Sequence, residues 1–146
     1  EFFNELRIIC SVNLSDEIIM RCWNALIIDY TTERLEILQN FKKKYRTFIL
    51  SNTNIIHYQH YTSILKNKYN INGLESLVEK AYFSHEVKIK KPDAEIFLHI
   101  LSDSKIKAEE TLFIDDSKIH IDSANKLGFK TIWLNEKKLE DLDIFG

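Results

Sequence analysis

Apolar positions follow a helical period through the first third of the chain and shift to short strand-like runs after Tyr45. Phe2, Phe3, Leu6, Ile9 and Cys10 fall on one helical face. Ser15 opens a second segment, with Asp16 and Glu17 suited to the positive end of a helix dipole. Ile18, Ile19, Cys22, Trp23 and Leu26 give that segment a wide apolar stripe. Thr32 starts a third helix, with Leu35, Leu38 and Phe41 inward and Lys42, Lys43 and Lys44 at its C-terminal end, where cations are favoured.

Beyond Tyr45, the run Thr47-Phe48-Ile49-Leu50 reads as a buried strand with Ser51-Asn52 at its C-terminal tip. A helix from about Ile55 to Lys68 follows, then turn residues from Asn70 to Gly73. Ala81-Tyr82-Phe83 reads as a second strand, followed by a basic loop from Glu86 to Pro92. Asp93 to Leu101 is helical, and Thr111-Leu112-Phe113-Ile114 forms a third strand closed by Asp115-Asp116. Ser117 to Leu127 is a helix ending at Gly128, and Lys130 to Leu134 is the fourth strand. This alternation predicts an α/β fold: a three-layer, Rossmann-like parallel sheet with helices on both faces. In such sheets the crevice lies just past the C-terminal strand ends. Ser51-Asn52, the Lys91 loop and Asp115-Asp116 occupy those positions.

Composition narrows the partners. The chain has 146 residues, which suits one domain, and its 20 Lys+Arg against 22 Asp+Glu give a net charge of -2. That balance lacks the basic surface of a nucleic-acid binder, so no nucleic-acid partner is expected. No apolar run approaches the ~18 residues that cross a bilayer, and the opening Glu1-Phe2-Phe3-Asn4 does not read as a signal peptide, so no membrane partner is expected. Two cysteines, Cys10 and Cys22, fit a reduced, cytoplasmic protein better than a disulfide scaffold and read as packing residues.

A hydroxyl, a lysine and a carboxylate pair, each after a different strand, make a phosphate-and-metal set. A hydroxyl and nearby N–H groups donate to phosphate oxygens. A lysine neutralises charge during phosphoryl transfer, and adjacent carboxylates suit Mg²⁺, a hard cation. Each signal alone is ordinary: Ser-Asn caps turns, loop lysines are solvated, and an Asp pair before a helix stabilises its dipole. Order and spacing together set this chain apart.

FILSNTN, KIKKPDAEIF and TLFIDDSKIHIDSANKLGFKTIWL resemble motifs II, III and IV of the haloacid dehalogenase-like (HAD) hydrolases. The resemblance is strongest to the phosphatase branch with a small helical cap. It implies residues 1–35 as the C-terminal part of the cap and 36–146 as the α/β core. It implies Ser51 as a catalytic phosphate-binding residue, with Asn52 beside it, and Lys91 as the catalytic, substrate-binding motif III lysine. It implies Mg²⁺ as cofactor, bound mainly by Asp116, with Asp115 as a second or water-mediated ligand. Many relatives have glycine where Lys88 stands and asparagine where His120 stands. His120 follows Asp116 by four residues, which places it on the same helical face, in a supporting role rather than as a ligand.

Motif I of the family, a strand ending in Asp-x-Asp that carries the nucleophile, does not precede the cap-like helices. Asp141 and Asp143 read Asp-Leu-Asp but lie in the tail, and Asp29 sits at the cap-to-core junction. In the family that strand is central, and without it two strand edges stay unpaired inside. The expectation is an upstream segment of the same protein that contributes it.

The remaining residues have plainer readings. His57 and His60 sit three apart on a helix, but no further ligand is spaced to make a zinc site with them. His85 and His99 read as loop and helix-surface residues, Trp23 and Trp133 as core or cap–core packing. The leading function is a Mg²⁺-dependent phosphatase for a small phosphorylated metabolite, working through an aspartyl-phosphate. Phosphoryl transfer between sugar positions and carbon–halogen hydrolysis use the same scaffold, although the acidic pair disfavours the latter. A non-catalytic phosphate- and metal-binding module is the alternative from another class. A receiver-like signalling domain would not need the N-terminal helices.

Overall fold

The computed structural model describes residues 1–142; Asp143 of the tail Asp-Leu-Asp lies outside the described residues. Helices α1 (Phe2–Cys10), α2 (Asp16–Asn24) and α3 (Thr32–Lys44) lead into β1 (Phe48–Ser51) and α4 (Ile55–Tyr69). A 3₁₀ turn at Leu74–Leu77 precedes β2 (Lys80–Phe83), α5 (Ser84–Val87) and α6 (Ala94–Ser104). Then come β3 (Leu112–Asp115), α7 (Lys118–Lys126) and β4 (Lys130–Trp133). Side-chain caps start three helices: Ser15 Oγ accepts from the Ile18 N–H, Thr31 Oγ1 from Arg34 and Asn54 Oδ1 from His57.

All strand pairing is parallel, as the alternation requires. β1 pairs with β2, placing Ser51 beside Phe83, and β3 pairs with β4, placing Asp115 beside Trp133. Ile49 and its neighbours Ala81 and Phe83 face a cluster built on Leu35, Tyr61, Leu65 and Leu77. Leu50 and Phe113 face a second cluster of Ile96, Phe97, Ala108, Ala124 and Phe129. Opposite faces of β1 therefore meet different helices, which is the three-layer arrangement.

Among the described residues the four strands form two two-stranded parallel sheets. Each of β1 and β3 has one ladder partner among the described residues.

The N-terminal helices bury less than their pattern predicts. Ile9 is 77% and Leu26 69% exposed, and both cysteines are free and exposed rather than packed. A short helix pair meets the rest of the molecule along one narrow seam, so much of its stripe finds no opposing surface. On that seam Phe2 meets Trp23 edge-on at 4.8 Å and Trp23 stacks on His57. Trp133 is also exposed, at the end of an edge strand. Leu35, on α3, lies in the first core cluster. Among the described residues, no helix is long and apolar enough to cross a membrane.

Candidate active site

Three loops at the C-terminal strand ends converge on Lys91. The Asn52 side chain, just past β1, grips the Lys91 backbone twice: Lys91 N–H donates to Asn52 Oδ1 at 2.9 Å, and Asn52 Nδ2 donates to the Lys91 carbonyl at 2.8 Å. This fixes the Lys91 backbone against the tip of β1. The side chain then spans to β3, where Nζ donates to Asp115 Oδ2 at 2.7 Å and lies 5.7 Å from the Phe113 ring centroid. The Lys91–Pro92 peptide is cis, and the Pro92 carbonyl accepts from Ser123 Oγ of α7.

Lys91 is 8% exposed and Asp115 9%, while Lys88 and Lys90 are exposed. A buried ion pair persists when its remaining hydrogen-bond sites are filled. Here Asp115 Oδ1 accepts from the Ser117 N–H at 2.8 Å and lies 2.9 Å from His120 Nδ1. Burial pushes the Asp115 carboxyl up; Lys91, the Ser117 N–H and His120 together outweigh it and hold the group below the ordinary carboxylate value. An ammonium has three donors, so Lys91 keeps two beyond its bond to Asp115.

Asp116 is exposed, and no side chain among the described residues pairs with its carboxylate. Its carbonyl accepts from Trp133 Nε1 at 3.0 Å. The two adjacent aspartates are thus in different electrostatic states, one committed to protein donors and one open to a ligand. The loop holding Ser51 is pinned from a third side: Thr53 N–H donates to Ser84 Oγ at 3.0 Å, and Ser84 Oγ donates to the Thr53 carbonyl at 2.9 Å.

Of the five residues expected around one crevice, Ser51, Asn52, Lys91, Asp115 and Asp116, three are hydrogen-bonded together, Asn52 to Lys91 and Lys91 to Asp115, and His120 joins them through Asp115. Asn52 acts on the Lys91 backbone rather than presenting a wholly free amide. Asp29 pairs with Lys68 and the Tyr30 N–H at the junction, away from any strand. Among the described residues no group of three or more His, Cys, Asp or Glu is placed to hold a metal ion. The sequence reading missed Ser84 and Asn54. Asn54 ahead of an apolar helical segment was a recognisable cap signal, whereas Ser84 carried none.

The family model described as haloacid dehalogenase-like hydrolase matches residues 27–134. D-ribitol-5-phosphate phosphatase of Bacteroides thetaiotaomicron is 29% identical over 133 residues, 90% of this chain and 63% of that protein. The wild-type structure of an HAD family enzyme from the same organism, in complex with magnesium and inorganic phosphate, superposes with a TM-score of 0.79 at 36% identity. It is matched over 90% of this chain and 66% of that one. An HAD-like hydrolase structure from Porphyromonas gingivalis gives a TM-score of 0.78 at 30% identity, over 91% of this chain and 64% of the other. The chain thus spans slightly under two thirds of the length of these relatives.

Proposed function

This chain belongs to the haloacid dehalogenase-like hydrolases, and from that premise we propose that it forms the phosphate- and metal-binding part of a Mg²⁺-dependent phosphatase for a small phosphate monoester. The observation that carries the proposal is the chain Asn52–Lys91–Asp115, with Lys91 and Asp115 buried, which holds one ammonium at the crevice where three strand ends meet. The relatives that bind magnesium and phosphate, or that act on a sugar-alcohol phosphate, support the same substrate class.

The donor set fits Mg²⁺, which takes oxygen ligands. Asp116 would hold it directly, since its carboxylate is open, and Asp115 would help through water, since Lys91, Ser117 and His120 already engage both of its oxygens. When bound, the cation offsets negative charge on the phosphoryl oxygens. Ser51 donates its hydroxyl to a phosphoryl oxygen, with the Asn52 backbone N–H beside it. Lys91 supplies its two remaining donors to the same group, and Asp115 keeps the ammonium aimed.

The nucleophile in this reading is an aspartate on a strand seated between β1 and β3. The support is that, among the described residues, both strands have one ladder partner each and yet pack Leu50 and Phe113 into one cluster. Its carboxylate oxygen attacks phosphorus, the P–O bond to the alcohol breaks, and water then cleaves the aspartyl-phosphate to release phosphate. Residues 1–35 act as part of the cap that covers the crevice, with 36–146 as the core. Two exposed, unpaired cysteines suit the cytoplasm.

The test compares kcat/KM of Lys91→Ala, Lys88→Ala and Lys90→Ala in the complete protein, on a generic phosphate ester with Mg²⁺. A positioned charge in a partly dry site is worth about 3–4 kcal/mol, so Lys91→Ala should lose a hundredfold or more. The exposed lysines should change the rate little. Equal losses in all three, or none in Lys91→Ala, would remove the central support. Because Lys91→Ala also strands a buried carboxylate, at a cost of about 3–5 kcal/mol, a thermal melt accompanies it.

A further inference from the structure

His57 occupies the first turn of α4, where its backbone N–H donates to Asn54 Oδ1 at 3.0 Å. Its ring returns to the same cap: Nδ1 lies 3.2 Å from Asn54 Nδ2. On the other side, Nε2 lies 3.0 Å from the Trp23 carbonyl of α2, and the imidazole stacks on the Trp23 indole with centroids 5.4 Å apart and planes at 25°.

These partners fix the tautomer. A carbonyl only accepts, so Nε2 carries a proton. Asn54 Oδ1 already accepts from the backbone, which turns its NH₂ toward Nδ1, and Nδ1 must then offer a lone pair. Both ring nitrogens are thus paired, Nε2 as donor and Nδ1 as acceptor. The Nε2 hydrogen bond ties α2 to α4. Asn54 in turn closes the loop that begins at Ser51, whose other residues are tied to Lys91 through Asn52 and to Ser84 through Thr53.

We propose that His57 is a positioning residue that latches α2 to the Ser51–Asn54 loop, so that seating of the N-terminal helices sets the geometry of the phosphate-facing loop. Its catalytic consequence rests on the phosphatase reading; its structural consequence does not. The latch has a donor side and an acceptor side, and both are needed to couple the two elements. Stacking alone would let α2 slide along the Trp23–His57 interface without moving Asn54.

The test uses the complete protein and three variants. His57→Phe keeps the aromatic stack and removes both side-chain hydrogen bonds. His57→Gln keeps one donor and one acceptor at a first-turn position from which glutamine reaches back to the cap. His57→Ala removes both features. Hydrogen exchange at amides 53–58 and 18–24 should accelerate together about tenfold in His57→Phe, the scale of one to two net hydrogen bonds, and return toward wild type in His57→Gln. kcat/KM on a small phosphate ester should fall by about the same factor in His57→Phe and recover in His57→Gln, with Mg²⁺ affinity unchanged. Faster exchange confined to 53–58 would reduce His57 to a helix cap and overturn the proposal. A ¹⁵N spectrum placing the His57 proton on Nδ1 would overturn it too. A wild-type protein without phosphatase activity would count against the phosphatase reading, while the exchange measurement would still decide the latch.

Discussion

Lys88 sits at φ 62°, in the left-handed region, at the C-terminal end of α5. A side chain with a Cβ costs about 1–2 kcal/mol there. Lys88→Gly should therefore raise the unfolding midpoint in urea by an amount equivalent to about 0.5–1 kcal/mol, once glycine's extra freedom in the unfolded chain is subtracted. An unchanged or lower midpoint would mean that the Lys88 Nζ bond to the His85 carbonyl outweighs the backbone. Asp103 makes a second residue-level case. Its bond from Lys80, and then that from the buried Tyr82 hydroxyl, hold the carboxyl below its ordinary value of 3.8. A depressed value in the folded protein means that the stabilisation is complete above the unfolded value and disappears as pH falls through the folded one. The Tm deficit of Asp103→Asn should thus be largest near neutrality and shrink in acid; a deficit independent of pH would show that geometry, not charge, is at stake. Asp116→Ala belongs here as well. The side chain is exposed and unpaired, so Tm without added metal should hold, while calorimetry should show weakened Mg²⁺ binding.

At the scale of elements, Asn54 starts α4 and anchors His57, so Asn54→Ala should cost more than the ~1 kcal/mol of an ordinary cap. Urea unfolding of Asn54→Ala beside Thr31→Ala, whose side chain makes one cap bond only, gives the comparison. What the sequence revealed follows the same division. The four strands and the long helices were legible, because Phe48-Ile49-Leu50 and Phe113-Ile114 are apolar runs bounded by polar tips. The site residues after those strands were legible through their order. Short elements were not: Ser84–Val87 reads as loop because four residues carry no period, and its role appears only when Ser84 meets Thr53 across the strand ends. The exposed Ile9, Leu26 and cysteines misled because periodicity marks which side is apolar but not whether anything covers it. Pattern identifies strands, and pairing depends on what lies beside them.

For the molecule as a whole, the two hydrophobic clusters have nearly separate memberships. One is built from α3, α4 and β2, the other from α6, α7 and β3. β1 alone contributes to both, through Ile49 on one face and Leu50 on the other. Four residues of backbone therefore decide whether the halves melt as one unit or as two. If β1 is the shared wall, neither half can lose its packing without stripping a face from the other. Calorimetric and van't Hoff enthalpies should then agree for residues 32–134 taken in the intact protein. Ile49→Ala and Leu50→Ala should each shift the single transition without splitting it. Cooperativity in this protein would then be a property of one strand's two faces rather than of the total area buried.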